Sequence, residues 1–327
     1  MSVIIISYNE AQYLPEAIES CLSQNFTDYE IIIGDDGSND NSIELIKEYS
    51  QKYPGKISYF VMDRPEDDSE IIPSLRASNV MKTGINRARG KFIVTLSADD
   101  YYCDNEKFSN AVDFLNSHED YAAYVSSFKK VYPDGTEEVF HAEKASRIIF
   151  WSTMYIHLAS FIFRKSVYDD GYFPKRFCDD TGTLFAMACA GKWKFSDKIT
   201  FAYRQRAGSI MYKSDELELA IFELMLFQDC LNSGRMKWSS YSRNYGHLKY
   251  VWKHRKELQD KKYEKYLISC EQYDNNILGE IFKSNTDIKS KIFVWCTLIK
   301  GETAKIFFKL CRAPRKIRKI FRKILSR

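Results

Sequence analysis

Through its first hundred residues this chain alternates short, wholly apolar runs with amphipathic helical stretches, and few folds accept that pattern. Val3-Ile4-Ile5-Ile6-Ser7 and Ile31-Ile32-Ile33 are continuous runs, each followed by turn residues and then a helical pattern. Residues 57–62 and 92–96 supply two more strands. Ala17, Ile18, Cys21 and Leu22 share one helical face, as do Ile43, Leu45, Ile46 and Tyr49. Strands that are apolar on both sides belong in a parallel sheet covered by helices on both faces. The spacing predicts a further helix over 76–89, closed by Gly90 as its C-cap. These residues therefore read as βαβαβαβ, an α/β unit. Ligands of such sheets bind beyond the C-terminal ends of the strands. The polar clusters stand there: Ser7-Tyr8-Asn9-Glu10, Asp35-Asp36-Gly37-Ser38 and Ser97-Ala98-Asp99-Asp100.

Beyond a helix at 104–117 the pattern changes. Residues 122–132 and 136–141 read as a hairpin turning at Pro133-Asp134-Gly135. A strand at 161–163, a helix at 182–190 and a strand at 194–204 follow, and from 215 onward the segments are helical and rich in aromatics. The 327 residues fit about two domains at roughly 150 residues each. We expect domains at 1–213, 214–311 and 312–327, the last a basic amphipathic helix. Hydrophobic residues at 45% and charged residues at 28% are ordinary for a globular chain and exclude wholesale disorder or a polytopic membrane protein. Aromatics at 15% serve either a large core or stacking surfaces for flat ligands.

The net charge of +4 is unevenly placed. Residues 300–327 hold eleven Lys and Arg against the single acid Glu302, so the remaining residues carry −6. An acidic body with a basic tail is not the pattern of a nucleic-acid binder. In the tail, Ile317, Ile320, Phe321, Ile324 and Leu325 form an apolar stripe flanked by basic residues, the pattern of an interfacial helix on an anionic membrane. Packing on the acidic body, nucleic acid or self-association are the competing readings. The eight cysteines contain no C-x-x-C pair, and their apolar neighbours suggest reduced thiols. The N-terminus lacks the basic flank and cleavage site of a signal peptide and reads as a buried strand. The apolar run 292–299 is too short to span a bilayer.

Asp99 and Asp100 directly follow an apolar strand. Adjacent carboxylates at such a mouth are costly unless a cation neutralises them, and a hard cation such as Mg2+ or Mn2+ with oxygen ligands suits them. Four segments occur in order: S-V-I-I-I-S-Y-N-E, E-I-I-I-G-D-D-G-S-N-D, G-K-F-I-V-T-L-S-A-D-D and C-D-D-T-G-T-L-F-A-M-A-C-A-G-K. Together they closely resemble the family 2 glycosyltransferases of the GT-A fold, over about residues 2–210.

The resemblance implies a nucleotide-diphosphosugar donor, a divalent metal (Mn2+ or Mg2+) and inversion at the anomeric carbon. It implies that Asp36 accepts from the pyrimidine N–H and that Tyr8, with Ser7, Asn9 and Glu10 around it, builds the base pocket. Asp35 orients the loop or caps the next helix. Asp99 and Asp100 are the acidic pair, one at the ribose and one at the metal, and Asp180 is the general base, with Asp179 tuning it. A helix-capping role for Asp180 is the alternative. Arg76 and Lys82 lie where diphosphate contacts or solvent await them. His157 is either an acceptor contact or a buried structural histidine. Two departures stand out: Ser97 replaces an acid common in the family, and Arg206 stands where a His is frequent and pairs with the diphosphate in our reading. The expected activity is inverting transfer from a UDP-sugar to a glycan or lipid-linked saccharide, at the cytoplasmic face of a membrane. The alternative is a non-catalytic nucleotide-sugar-binding subunit of a glycan-assembly complex.

Overall fold

The computed structural model describes residues 1–65, 71–142, 156–206, 215–235, 238–269, 277–283, 296–297 and 299–300. The chain divides into two compact units, Met1–Lys213 and Ser214–Arg327. The first unit opens with β1 (Ser2–Ser7), α1 (Leu14–Leu22), β2 (Glu30–Asp35), α2 (Ser42–Lys52), β3 (Ile57–Val61), α3 (Pro73–Arg87) and β4 (Phe92–Ser97). It continues with β5 (Tyr101–Tyr102), α4 (Lys107–Ser117), β6 (Tyr121–Val131), β7 (Glu137–Phe140), β8 (Phe161–Arg164), a helix Asp180–Ala190 and β9 (Lys192–Arg204).

The strands form one mixed sheet ordered β3-β2-β1-β4-β8-β6-β9-β5, with β7 on β6. The first four are parallel. β8 runs antiparallel to both β4 and β6, while β6 and β9 pair in parallel through register shifts. Both faces are covered at β1, β2 and β4, as their apolar runs require, while the edge strand β3 leaves Tyr59 and Val61 exposed. Val3, Ile5, Ile31 and Ile33 pack with Leu14, Ile18 and Phe108 on one side. Ile4 and Ile32 pack with Val80, Met81 and Ile85 of α3 on the other.

Some boundaries differ from expectation. α3 starts at Pro73, whose fixed φ suits a first helical turn, and ends at Arg87 with Ala88 as its C-cap. Gly90 is therefore not the cap. A Cβ on Gly90 would lie 2.4 Å from the carbonyl carbon of Met1, so the glycine permits the chain to cross the start of β1. Its N–H donates to Ser2 Oγ at 2.8 Å. β5 is two residues long, below what an apolar pattern reveals. In the hairpin turn, Gly135 adopts φ +82°, a conformation glycine takes without steric cost. The helix expected from 182 starts at Asp180. In the second unit the described residues include the helices Glu216–Asn232, Trp238–Lys253, Glu264–Ile268 and Ile277–Lys283. The tail 312–327 lies outside the described residues.

One core residue is unusual for its chemistry. Lys107 is 1% exposed. Its Nζ donates to Ser126 Oγ at 2.9 Å, Thr200 Oγ1 at 3.1 Å and the Ser160 carbonyl at 3.4 Å. Burial lowers its pKa from the usual lysine range to about 7, against the charges of Cys103 and Asp104. The unfolded chain keeps this proton up to about pH 10, while the native state releases it near 7. The unfolded state therefore binds more protons between those values, and native stability rises with pH across that window. Lys107→Met removes this contribution. In urea unfolding, the stability of Lys107→Met relative to wild type should be highest below pH 7 and fall steadily toward pH 10; a pH-independent difference would contradict the assignment.

Candidate active site

The site is assembled at the C-terminal edge of the parallel strands. Ser7 stands opposite Asp35 in the β1–β2 register, and Ile6 opposite Ser97 in the β1–β4 register. Two bonds carry the ladder past the strand ends: Asp36 N–H to Ser7 O at 2.9 Å and Ala98 N–H to Ile6 O at 2.8 Å. The three polar clusters thus emerge side by side.

The D-D-G-S-N-D segment divides its labour. Asp35 turns back into the loop, accepting from Ser38 N–H and Ser38 Oγ, both at 2.7 Å. That resolves its expected role toward loop orientation. Gly37 takes φ +75°. Ser38 Oγ accepts from Asn9 N–H at 2.8 Å, and Asn9 Oδ1 accepts from Asn39 N–H at 2.9 Å. Asn9 itself sits at φ +55°, which its short polar side chain tolerates. Asn9 therefore stitches the loops after β1 and β2 together. Asp40 Oδ2 accepts from Ala11 N–H at 3.1 Å and finishes the seam. Ser7 is 1% exposed, and its Oγ meets no hydrogen-bond partner among the described residues.

Asp36 faces two guanidinium groups, Arg64 and Arg76, each at 2.5 Å. Burial pushes its carboxyl up, and Arg76 and Arg64 oppose that rise. Arg64 also lies 3.9 Å over the ring of Tyr8, a cation–π contact. Tyr8, Arg64, Asp36 and Arg76 form one connected group with a flat face, a carboxylate and two cations. The sequence reading missed Arg64, although its position after β3, at the same sheet edge, was the available signal. Lys82 is elsewhere: its Nζ donates to the carbonyls of Lys175 and Arg176 at 2.6 and 2.7 Å.

A second group surrounds the acidic pair. Arg206 Nε donates to Asp99 Oδ2 at 2.8 Å, and its Nη2 pairs with Glu10. This guanidinium, expected at the diphosphate, here clamps the loops after β1 and β4 together. Arg204, at the end of β9, donates through its main-chain N–H to Asp100 Oδ1 and through Nη1 to the Asp99 carbonyl, both at 2.8 Å. Asp100 is 1% exposed, and its Oδ2 has no hydrogen-bond partner among the described residues. Burial, and then the charge of Asp99, hold its carboxyl well above the usual carboxylate range, and Asp180 adds to this.

The third group comes from the helix Asp180–Ala190 and the turn before β8. Asp179, expected to tune the base, is the helix N-cap, its Oδ1 accepting from Gly182 N–H at 2.6 Å. A helix start leaves N–H groups without intrahelical acceptors, and a side-chain oxygen at this position supplies one. The capping alternative thus falls to Asp179. Asp180 Oδ1 accepts from Leu158 N–H at 2.6 Å. His157 Nδ1 accepts from Ala159 N–H at 3.3 Å, which leaves the proton of a neutral ring on Nε2. The His157 ring packs on Phe201 at 4.8 Å and Tyr203 at 4.5 Å. Burial lowers its pKa, against the charges of Asp180 and Asp99. Asp100, Asp180 and Asp99 likewise act on Tyr203, whose hydroxyl is pushed up to about 12, chiefly by burial.

Among the described residues no three His, Cys, Asp or Glu side chains converge as a complete metal cage. The donor set still fits a hard cation. Asp100 offers a buried carboxylate oxygen without a partner among the described residues, next in the chain to Asp99, and such ions commonly complete their shell with water and substrate phosphates. Arg206 adds no ligand. Glu10 carries a related strain: burial first, then Asp99, raise its carboxyl to about 7 against the pull of Arg206. The native state holds this proton to about pH 7, whereas an unfolded Glu releases it near 4.3. Stability is therefore lost as pH rises through that interval. Glu10→Gln should gain stability relative to wild type between pH 5 and pH 8 in thermal unfolding; a constant or shrinking gap would refute the linkage.

Comparison with known proteins places these groups in a family. Residues 2–172, over half of the chain, match the family described as glycosyl transferase family 2. An uncharacterised protein of Mycobacterium tuberculosis is 30% identical over 145 residues, covering 42% of this chain and 38% of that protein. The poly(ribitol-phosphate) beta-N-acetylglucosaminyltransferase TarS of Staphylococcus aureus is 24% identical over 192 residues, 57% of this chain and 31% of TarS. The chain thus matches less than two-fifths of the length of these relatives. The crystal structure of TarS residues 1–349 with UDP-GlcNAc superposes with a TM-score of 0.58 at 17% identity, covering 96% of this chain and 93% of that one. A mannosyltransferase of Pyrobaculum calidifontis with GDP-Man and Mn2+ gives 0.51 at 14% identity, covering 94% and 87%. The fold is GT-A, and the chain belongs to glycosyl transferase family 2.

Proposed function

We propose that this chain is an inverting glycosyltransferase that moves a sugar from a UDP-sugar to a hydroxyl of a glycan or lipid-linked saccharide. The carrying observation is geometric: Arg204, next to Tyr203, holds the adjacent Asp99 and Asp100, while Asp180 is held by the N–H of Leu158, next to His157, whose ring lies 4.5 Å from that of Tyr203. The named complexes of TarS with UDP-GlcNAc and of the mannosyltransferase with GDP-Man and Mn2+ support a nucleotide-sugar donor and a divalent cation.

In this reading the base lies against Tyr8 and Arg64, with Asp36 accepting its N–H. Asp99 takes the ribose side. Asp100 and Asp99 would hold the divalent cation, which would supply positive charge to the departing diphosphate. Arg204 and Arg206 add fixed positive charge on that side. The acceptor hydroxyl is a poor nucleophile until a carboxylate takes its proton. Asp180 does so, oriented by the Leu158 N–H on one of its oxygens. His157 and Tyr203 line the acceptor side. Inversion follows if the base and the leaving group stand on opposite faces of the sugar.

No helix among the described residues is long and apolar enough to cross a membrane. We propose that the basic tail 312–327 docks on the anionic inner face of the cell membrane, where lipid-linked acceptors reside. Asp180→Asn is the central test. It should lower UDP release in the presence of acceptor by at least about 100-fold, within the range for a lost general base. The thermal shift produced by UDP with Mn2+ should persist. Retained turnover with lost UDP binding would overturn the assignment.

A further inference from the structure

Lys107 lies outside all three groups of the site, yet it is tied to one of them. It is the first residue of α4 and among the largest fully buried side chains. Its amine reaches three separate segments: Ser126 in the middle of β6, Thr200 in β9 and the carbonyl of Ser160. The hydroxyls of Ser126 and Thr200 are themselves 2.7 Å apart, and Ser126 Oγ also donates toward Ser160 O at 3.4 Å. The Tyr102 ring lies 5.4 Å from Nζ. An ammonium has three donors, and these three oxygens are its acceptors.

Ser160 ends a single 3-10 turn, Leu158–Ser160, that leads into β8. The N–H at the other end of that turn, on Leu158, holds Asp180 Oδ1 at 2.6 Å. The turn is closed internally by Ser160 N–H to His157 O at 2.9 Å. His157 rests on Phe201, the neighbour of Thr200. The Ser160 carbonyl, the Asp180 carboxylate and the His157 ring thus meet on one short turn.

Burying an amine is expensive, and an apolar side chain of similar length would avoid that cost. The cost is offset in function if the amine sets a position that packing alone leaves loose. We propose that Lys107 is a positioning residue for sugar transfer: its amine fixes the Leu158–Ser160 turn and, through the Leu158 N–H, aims the carboxylate of Asp180. The inference rests on Asp180 acting as the general base.

The test compares Lys107→Met with wild type and with Asp180→Asn in the full chain, using the UDP-sugar that supports turnover and reading kcat, the donor KM and the UDP–Mn2+ thermal shift. A misplaced reactive group typically costs about 10²-fold in rate. Lys107→Met should lower kcat by roughly 10- to 100-fold while leaving donor KM and the UDP thermal shift within about twofold. A kcat equal to wild type in the folded variant overturns the proposal, as does a loss confined to KM. Should Lys107→Met fail to fold, Thr200→Val decides. It keeps the lysine but removes one acceptor, and kcat must fall at least about threefold with KM unchanged. If Asp180→Asn is inactive and Lys107→Met is normal, only this inference fails. If Asp180→Asn retains transfer, the base assignment fails and this inference with it.

Discussion

Two of the three groups at the site depend on the parallel register of β1 with its two neighbours. Because that register sets Ser7 against Asp35 and Ile6 against Ser97, three loops leave the sheet level with one another. Hydrophobic pattern alone does not enforce it. Val3, Ile4 and Ile5 are all fully buried, so a one-residue slip would exchange apolar faces at little cost in burial, in contrast to a sheet with one wet side. Polar contacts at the strand ends supply the discrimination. Ser2 Oγ donates to Glu30 Oε1 at 2.8 Å while accepting from Gly90 N–H, and Asp36 N–H closes on Ser7 O at the opposite end.

Bringing carboxylates to one edge creates an electrostatic problem that the fold answers with guanidinium groups. Asp36 is flanked by Arg64 and Arg76, and Asp99 and Glu10 share Arg206. Guanidinium suits this because it stays charged and presents several donors in one plane. Asp100 is treated differently. Its Oδ1 has a main-chain donor from Arg204, while Oδ2 is buried without a partner among the described residues. Glu10 Oε2 is likewise buried without a hydrogen-bond partner among the described residues.

Much of the architecture was legible in advance because it follows from periodicity. The four apolar runs became β1 to β4, and the helices between them bury the faces that their spacing marked. The acids were legible as acids at strand ends. Their division of labour was less so. Asp179 and Asp180 are adjacent and identical in type, yet one caps a helix and the other binds the Leu158 N–H. Asn9 stood among the donor-binding candidates, and its backbone at φ +55° and its bonds to Ser38 and Asn39 also make it a seam between loops. Lys107 carries no local signature at all, and Arg64 only its place after β3 at the same sheet edge. A lone basic residue on a loop or at a helix start reads as solvated until the partners that bury it are known.

The sequence by itself determined the class of fold, the edge at which chemistry gathers and the residue types available there, because burial pattern and turn chemistry are local and periodic. The tertiary structure alone decided which cation meets which carboxylate: Arg206 with Glu10 and Asp99, Arg76 with Asp36, and Lys107 with hydroxyls from β6 and β9. Those pairings join residues up to 196 positions apart. Charge and hydrogen-bond complementarity act over a few ångströms in space, and nothing in the order of residues along a chain records that distance.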